Sequence, residues 1–314
     1  MRFRYIAVCA SLLALLAGCV TVPPAQAPVA ESSSPAPSGT AERPPTEGPT
    51  DLPPTPSGLP PALEPVDPVV SGNNTGPVTD QATTDYVWAM IQNADRMWSK
   101  WFAGEGLKEP YVTVELVQPG KPYHFAPCWL PTSTGRIDTF PSDFPNAMYC
   151  NAVSPGARDA GIMILPIQSM AKLWTGNIYG RQVTNPQAIG DYAAGVVTAH
   201  EFGHHIEAEL AAQKGLSRVT GKNKELIADC FAGVHAYSLS LGVDGHLDAG
   251  DIDEAVAALE ALGDTSTTST DPHGTPEERS NAFRIGLQGS VADPRPGVPN
   301  NCLKAFFPAA ARTS

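Results

Sequence analysis

The chain has 314 residues and a formal charge of −12, with 20 Lys and Arg against 32 Asp and Glu. A chain that acidic repels a phosphate backbone, which argues against non-specific nucleic-acid binding. Its 32 prolines are unevenly spread: 16 lie between residues 20 and 80, where there is no Phe, Tyr or Trp, and all five Trp lie beyond. The first stretch cannot bury a core, whereas 81–314 is long enough to form a globular domain without depending on disulfides.

In chain order, Arg2 and Arg4 precede an apolar run from Ile6 to Ala17, too short to span a bilayer comfortably and suited to the core of a signal peptide, residues 1–18. The run ends in Leu16-Ala17-Gly18-Cys19, which resembles the bacterial lipoprotein box. That resemblance implies cleavage before Cys19, lipidation of Cys19, export, and anchoring to the outer face of the bacterial membrane. Residues 19–80, the lipidated cysteine and a Pro/Ser-rich linker, read as a disordered tether. An exported chain favours disulfides among the remaining Cys128, Cys150, Cys230 and Cys302. Three connectivities are open, and nearest-neighbour pairing, Cys128 with Cys150 and Cys230 with Cys302, is preferred.

Residues 84–102 set Val87, Met90, Ile91, Ala94, Met97, Trp98 and Trp101 at helical spacing, with Thr84 or Asp85 as the cap. Residues 111–117 alternate like a half-buried strand, and 161–167 read as a second. The intervening 118–160 is loop-rich. Helices are predicted over 187–213 and 222–241. Asp251 with Glu254, and Thr275 with Glu278, resemble capping boxes that open two more, through Leu262 and Leu287. Pro276 falls at the first helical position of the last. The fold class is α+β, mainly helical with a small β element.

The chemistry centres on His200-Glu201-Phe202-Gly203-His204. Four apart on a helix, His200 and His204 share a face and can reach one zinc ion. Glu201 lies about 100° further round, where its carboxylate can face the metal's water instead of the metal. The metzincin continuation is excluded, because Glu207 and Leu210 stand where Gly and His would be needed. The next predicted helix offers Glu225 and Asp229, four apart and off its apolar stripe. Two antiparallel helices joined by 214–221 would set Glu225 against the histidines. The arrangement resembles that of gluzincin proteases, with Asp229 fixing the tautomer of a ligand histidine.

The segments HEFGHHIE, ELIADCFAGVHA, GDIDEAVAALEALGD and HGTPEERSNAFRIG, in that order, resemble the bacterial putative neutral zinc metallopeptidase family. The resemblance spans 84–290 and is strongest from 196 onward. Its middle departs from the family pattern, with Asn151 after Cys150 where the family has proline. It implies a zincin-like fold, Zn2+ held by His200, His204 and Glu225, Glu201 as general base, and a peptide or protein substrate. Candidates for stabilising the oxyanion are His273, Tyr179 and Tyr192. Two other readings stand beside this one: a zinc-containing lipoprotein that binds or assembles without turnover, and a hydrolase of another amide, such as those of cell-wall peptide stems. Oligomeric state is not specified by the sequence.

Plainer roles fall to the other residues. His205 is expected to be solvated or hydrogen-bonded behind the ligands, being rotated off their face. Gly203 is expected to mark close packing. Asp244, Asp248 and Asp251 do not fit the EF-hand pattern and read as turn and cap residues. No special role is expected of His235 or His246.

Overall fold

The computed structural model describes residues 78–307, apart from 126–127, 129, 133–134, 152–160, 179, 184–188, 243–246 and 266–271. The signal segment, Cys19, the tether, Tyr179, Asp244 and His246 therefore lie outside the described residues.

The apolar stripe predicted near the start forms α1 (Asp80–Gly104), with Val87, Met90, Ile91, Ala94, Met97, Trp98 and Trp101 all buried. The helix begins a turn earlier than expected. Thr79 is its cap, accepting from the Ala82 N–H at 3.1 Å, while the Thr84 hydroxyl donates to the Asp80 carbonyl inside the helix.

The alternating segment becomes β1 (Val112–Val117). The loop-rich stretch after it holds β2 (Tyr123–His124), β3 (Leu130–Thr132), β4 (Gly135–Ile137), β5 (Thr139–Phe140) and β6 (Met148–Cys150). Strand β7 (Gly161–Pro166) pairs with β1 in parallel, Val112 opposite Gly161, and with β6 antiparallel, Met148 opposite Ile164. A parallel pair needs a long crossover, which 118–160 supplies. Every residue of β7 is buried, so the strand is apolar on both faces. Val117, Cys128, Phe140, Met148, Ile162 and Ile164 form a small second core, and the Cys128–Cys150 disulfide ties the crossover to β6. Among the elements not anticipated are α2 (Ile167–Trp174), which starts where Pro166 ends the strand, and the hairpin of β8 (Asn177–Ile178) and β9 (Arg181–Gln182).

Five helices complete the described residues: α3 (Asp191–Lys214), α4 (Lys222–Ser240), α5 (Asp251–Leu262), α6 (Pro276–Gln288) and α7 (Pro299–Phe306). Helix α3 is buried almost all round, so it is a core helix instead of an amphipathic one. It ends at Gly215, whose φ of 65° is the left-handed conformation that closes many helices. Glu207, fully buried, then accepts from Arg218 Nε at 2.5 Å and from the Val219 N–H at 2.8 Å. These bonds tie down the connection that turns α4 back along α3.

Helix α4 lies between α3 and α6 at backbone range. A Cβ on Gly203 would stand 2.7 Å from the Ala228 carbonyl oxygen, so Gly203 does serve close packing. Gly233 and Gly286 make the corresponding approach between α4 and α6, against the carbonyls of Phe283 and Cys230 respectively. The Cys230–Cys302 disulfide joins α4 to α7, so both disulfides follow the nearest-neighbour pairing.

The Thr275–Glu278 capping box is present with Pro276 at the start of α6. The one expected at Asp251 is not. Gly250 is the cap residue of α5 and makes no side-chain bond. Asp251 sits inside the first turn and accepts from the Asp248 N–H at 2.6 Å, while Glu254 reaches across to the Tyr192 N–H at 3.1 Å. A neighbouring helix start supplies the donor that the capping pattern assigned locally. Among the described residues, no helix is long and apolar enough to cross a membrane.

Candidate metal centre

Helical spacing puts His200 and His204 on one face of α3, and the turn at 215–221 brings the first turn of α4 against that face. His200 Nε2 lies 3.2 Å from Glu225 Oε2, and His204 Nε2 lies 3.4 Å from the same oxygen. All three residues are buried, and their ligand-capable atoms lie within 4.8 Å of one another.

One turn further along α4, Asp229 Oδ1 accepts from His200 Nδ1 at 2.7 Å. A carboxylate can only accept, so that bond puts the proton of neutral His200 on Nδ1 and leaves a lone pair on Nε2. The lone pair faces Glu225, another acceptor. Two acceptors converging in a buried space call for a cation between them or for a proton on the ring. Two imidazole nitrogens and one carboxylate oxygen suit zinc, and they leave a coordination position free for water or substrate. The residues present therefore fit the ion that the motif implies.

Asp229 is itself held in place. The Arg279 guanidinium, from α6, grips it with Nε on Oδ2 and Nη2 on Oδ1, both at 2.8 Å, and Arg279 also donates to the Leu262 carbonyl at 3.4 Å. Burial works to raise the Asp229 carboxyl, but Arg279 and His200 hold it below its ordinary value. Burial likewise opposes the charge on Glu225, and the two histidines outweigh it, holding this carboxyl well below the usual range. For His200, burial disfavours the imidazolium, yet the charge and hydrogen bond of Asp229 raise it to about 9.

The group opens into a cleft of about 620 Å3. Its described lining includes Val197, His200, Glu201 and His204 from α3, Lys224 and Glu225 from α4, and residues 145–150 across from them. Arg181, Leu259, Leu262, His273 and Arg279 complete the side next to α5 and α6. Glu201 thus shares the cleft with the three-ligand group. His273 also faces it, with its side chain 47% exposed; its backbone N–H donates to Asp264 Oδ2 at 2.6 Å, and its Nδ1 lies 3.4 Å from Asp264 Oδ1.

Other expected residues lie elsewhere. Tyr192 is fully buried, its hydroxyl has no hydrogen-bond partner, and it is not among the cleft's described lining, so it is no oxyanion candidate. His205 is not solvated, and neither of its ring nitrogens is hydrogen-bonded. It packs against Phe202 and Tyr149, and burial drives it down to about 3. On a helix covered on every side, rotation away from the ligand face does not lead to water. His235 is buried in the same way.

Sequence reasoning missed Arg279, Arg181, Lys224 and Tyr149. Arg279 had a signal. It falls on the same side of α6 as Ala282, Phe283, Gly286 and Leu287, and a charge on an apolar face needs a buried partner.

The model of the putative neutral zinc metallopeptidase family matches residues 176–295. The family anticipated from the motifs is thus the one that matches, over the stretch that holds the site. The uncharacterized protein YpfJ of Escherichia coli is 35% identical over 121 residues, 32% of this chain and 41% of the relative. Uncharacterized proteins of Mycobacterium tuberculosis and Mycobacterium bovis are 32% identical over 171 residues, 47% of this chain and 56% of each relative. The matches therefore span between two fifths and just over half of those relatives' lengths. No solved structure matches the chain.

Proposed function

We propose that this chain is a zinc-dependent metallopeptidase that hydrolyses peptide bonds in the cleft above α3. The observation that carries the reading is the convergence of His200 Nε2, His204 Nε2 and a Glu225 oxygen in one buried group, with Glu201 on the same cleft. Zinc bound there would supply Lewis acidity, polarising the scissile carbonyl and acidifying a water.

The chain's own residues do the rest. His200, His204 and Glu225 hold the ion, and Asp229 fixes His200 with its lone pair turned inward. Glu201 accepts the proton of the attacking water and returns it to the leaving amine. His273, oriented through Asp264, stands on the cleft wall and can donate to the developing oxyanion. The lipoprotein box at Leu16–Cys19 and the Pro-rich stretch after it support a form of the protein tethered to a membrane surface by lipid on Cys19.

The test is Glu201→Gln, assayed for zinc content and for cleavage of a mixed peptide pool. We expect zinc to be retained and hydrolysis to fall by about 10²–10⁴-fold, the usual weight of a general base. Hydrolysis unchanged in the variant would overturn the assignment. Zinc bound by a wild-type protein that cleaves nothing would favour the binding or assembly role instead.

A further inference from the structure

The chain is strongly acidic, yet the cleft is not. Its described lining carries two carboxylates, Glu225 of the three-ligand group and Glu201 beside it. The remaining charged side chains there are basic: Arg181, Lys224 and Arg279, with His273 able to join them. Arg279 is consumed by Asp229, and Lys224 Nζ lies 3.6 Å from Glu225 Oε1. Arg181 differs from both. It is exposed, and it forms no ion pair among the described residues of a chain with 32 acidic side chains. Its Nη2 donates to the Ala261 carbonyl at 2.5 Å, which fixes the guanidinium at the last turn of α5, next to Leu262. The same cleft lining carries the apolar Val197, Leu259 and Leu262. A pocket with apolar walls and a pinned, unpaired arginine suits a group with an apolar stem and an anionic tip, and a guanidinium can bind a carboxylate through two parallel bonds.

We propose that the cleft selects substrates that present a carboxylate close to the bond to be cleaved, with Arg181 as the residue that reads it. The inference rests on the peptidase reading above. The carboxylate can come from an acidic side chain or from the free C-terminus of a short peptide, and the chemistry recognised is the same.

The experiment uses the full-length protein and four versions of each short, N-blocked, fluorescent peptide: Glu or Gln at one position, each with a free or an amidated C-terminus. Affinity is read by anisotropy on zinc-loaded Glu201→Gln protein, and cleavage by mass spectrometry on the wild type. We expect the carboxylate forms to bind about fivefold more tightly than their neutral counterparts, the upper end for an exposed ion pair. The Glu and Gln arms isolate side-chain recognition, and the acid and amide arms isolate the C-terminus. Arg181→Gln should bring the ratio to about one with zinc content unchanged, Arg181→Lys should restore part of it, and Arg284→Gln, away from the cleft, should leave it intact.

With Arg181 in place, an affinity ratio of one or binding of neither form overturns the proposal, as does a ratio that survives Arg181→Gln. Cleavage without charge preference sinks this inference alone. Charge-selective binding without cleavage by the wild type sinks the peptidase reading and leaves Arg181 as the anchor of a binding cleft.

Discussion

Helix α3 carries two polar groupings of the same size. In its middle, His200 and His204 meet Glu225; at its start, Asp191 meets Asp251 and Glu254. Each brings three metal-capable atoms within 4.8 Å of one another, and they behave in opposite ways. In the first, imidazoles face a carboxylate and an arginine backs a second one, so Glu225 and Asp229 are held ionised. In the second, burial and like charges raise Asp251 to about 6 and Glu254 to about 7. The acids have local reasons to gather there, since Asp251 accepts from the Asp248 N–H in the turn before α5 and Glu254 from the Tyr192 N–H at the start of α3. Proximity is the same in the two; what differs is the donor set, imidazoles with a carboxylate in the first, as zinc prefers, and carboxylates alone in the second.

The sharpest way to break that comparison is to remove one ligand from each grouping. His204→Ala should lower bound zinc from about one per chain to near none, whereas Asp251→Asn should leave it unchanged; elemental analysis reads both. If the two variants lose zinc alike, the contrast fails. Next in size is Arg279→Ala, which strands Asp229 in a fully buried position. It should cost about 3–5 kcal/mol in denaturant unfolding and weaken zinc binding about 10–100-fold, with Arg279→Lys in between. Gly203→Ala should cost about 1–3 kcal/mol, because the added methyl meets the Ala228 carbonyl at a distance no side chain can relieve.

The smallest effect belongs to the acidic grouping. A carboxyl whose folded value lies above its unfolded one binds more protons in the folded chain, so its contribution is present below about pH 4 and is lost as pH rises through its folded value. Asp251 and Glu254 should thus lower the melting temperature between about pH 5 and 8. Glu254→Gln keeps an acceptor for the Tyr192 N–H and should flatten that slope. An unchanged slope would show that Glu254 does not titrate there.

Most of what was legible rested on residues close in sequence, although α2 and the β8–β9 hairpin, also local, were missed. The α1 stripe, the alternation of β1, the apolar run of β7 and the Thr275–Glu278 box are local patterns, and each formed the expected element. His200 and His204 are four apart on one helix, and Glu225 and Asp229 four apart on the next; a single turn between helices sufficed to place them. Arg279 lies 50 residues from Asp229 and 79 from His200. No periodicity spans such distances, and only its place on an apolar face hinted at a partner. The Asp251–Glu254 box failed for a related reason, because Glu254 found a better-placed donor 62 residues away. The short strands of 118–150 pair over so few residues that their sequences carry almost no alternation.

The glycine contacts that press α4 between α3 and α6 also set an order in time. His200 and Glu201 leave the ribosome well before Arg279, so a growing chain can display the whole HExxH segment while Asp229 still lacks its guanidinium. Until α6 lays its backbone against α4, Asp229 lacks the guanidinium that grips both of its oxygens. A fragment ending before Pro276 would carry the signature by which such a protein is recognised, but not the support that makes it a site. The full support of the candidate metal centre would arrive only with α6.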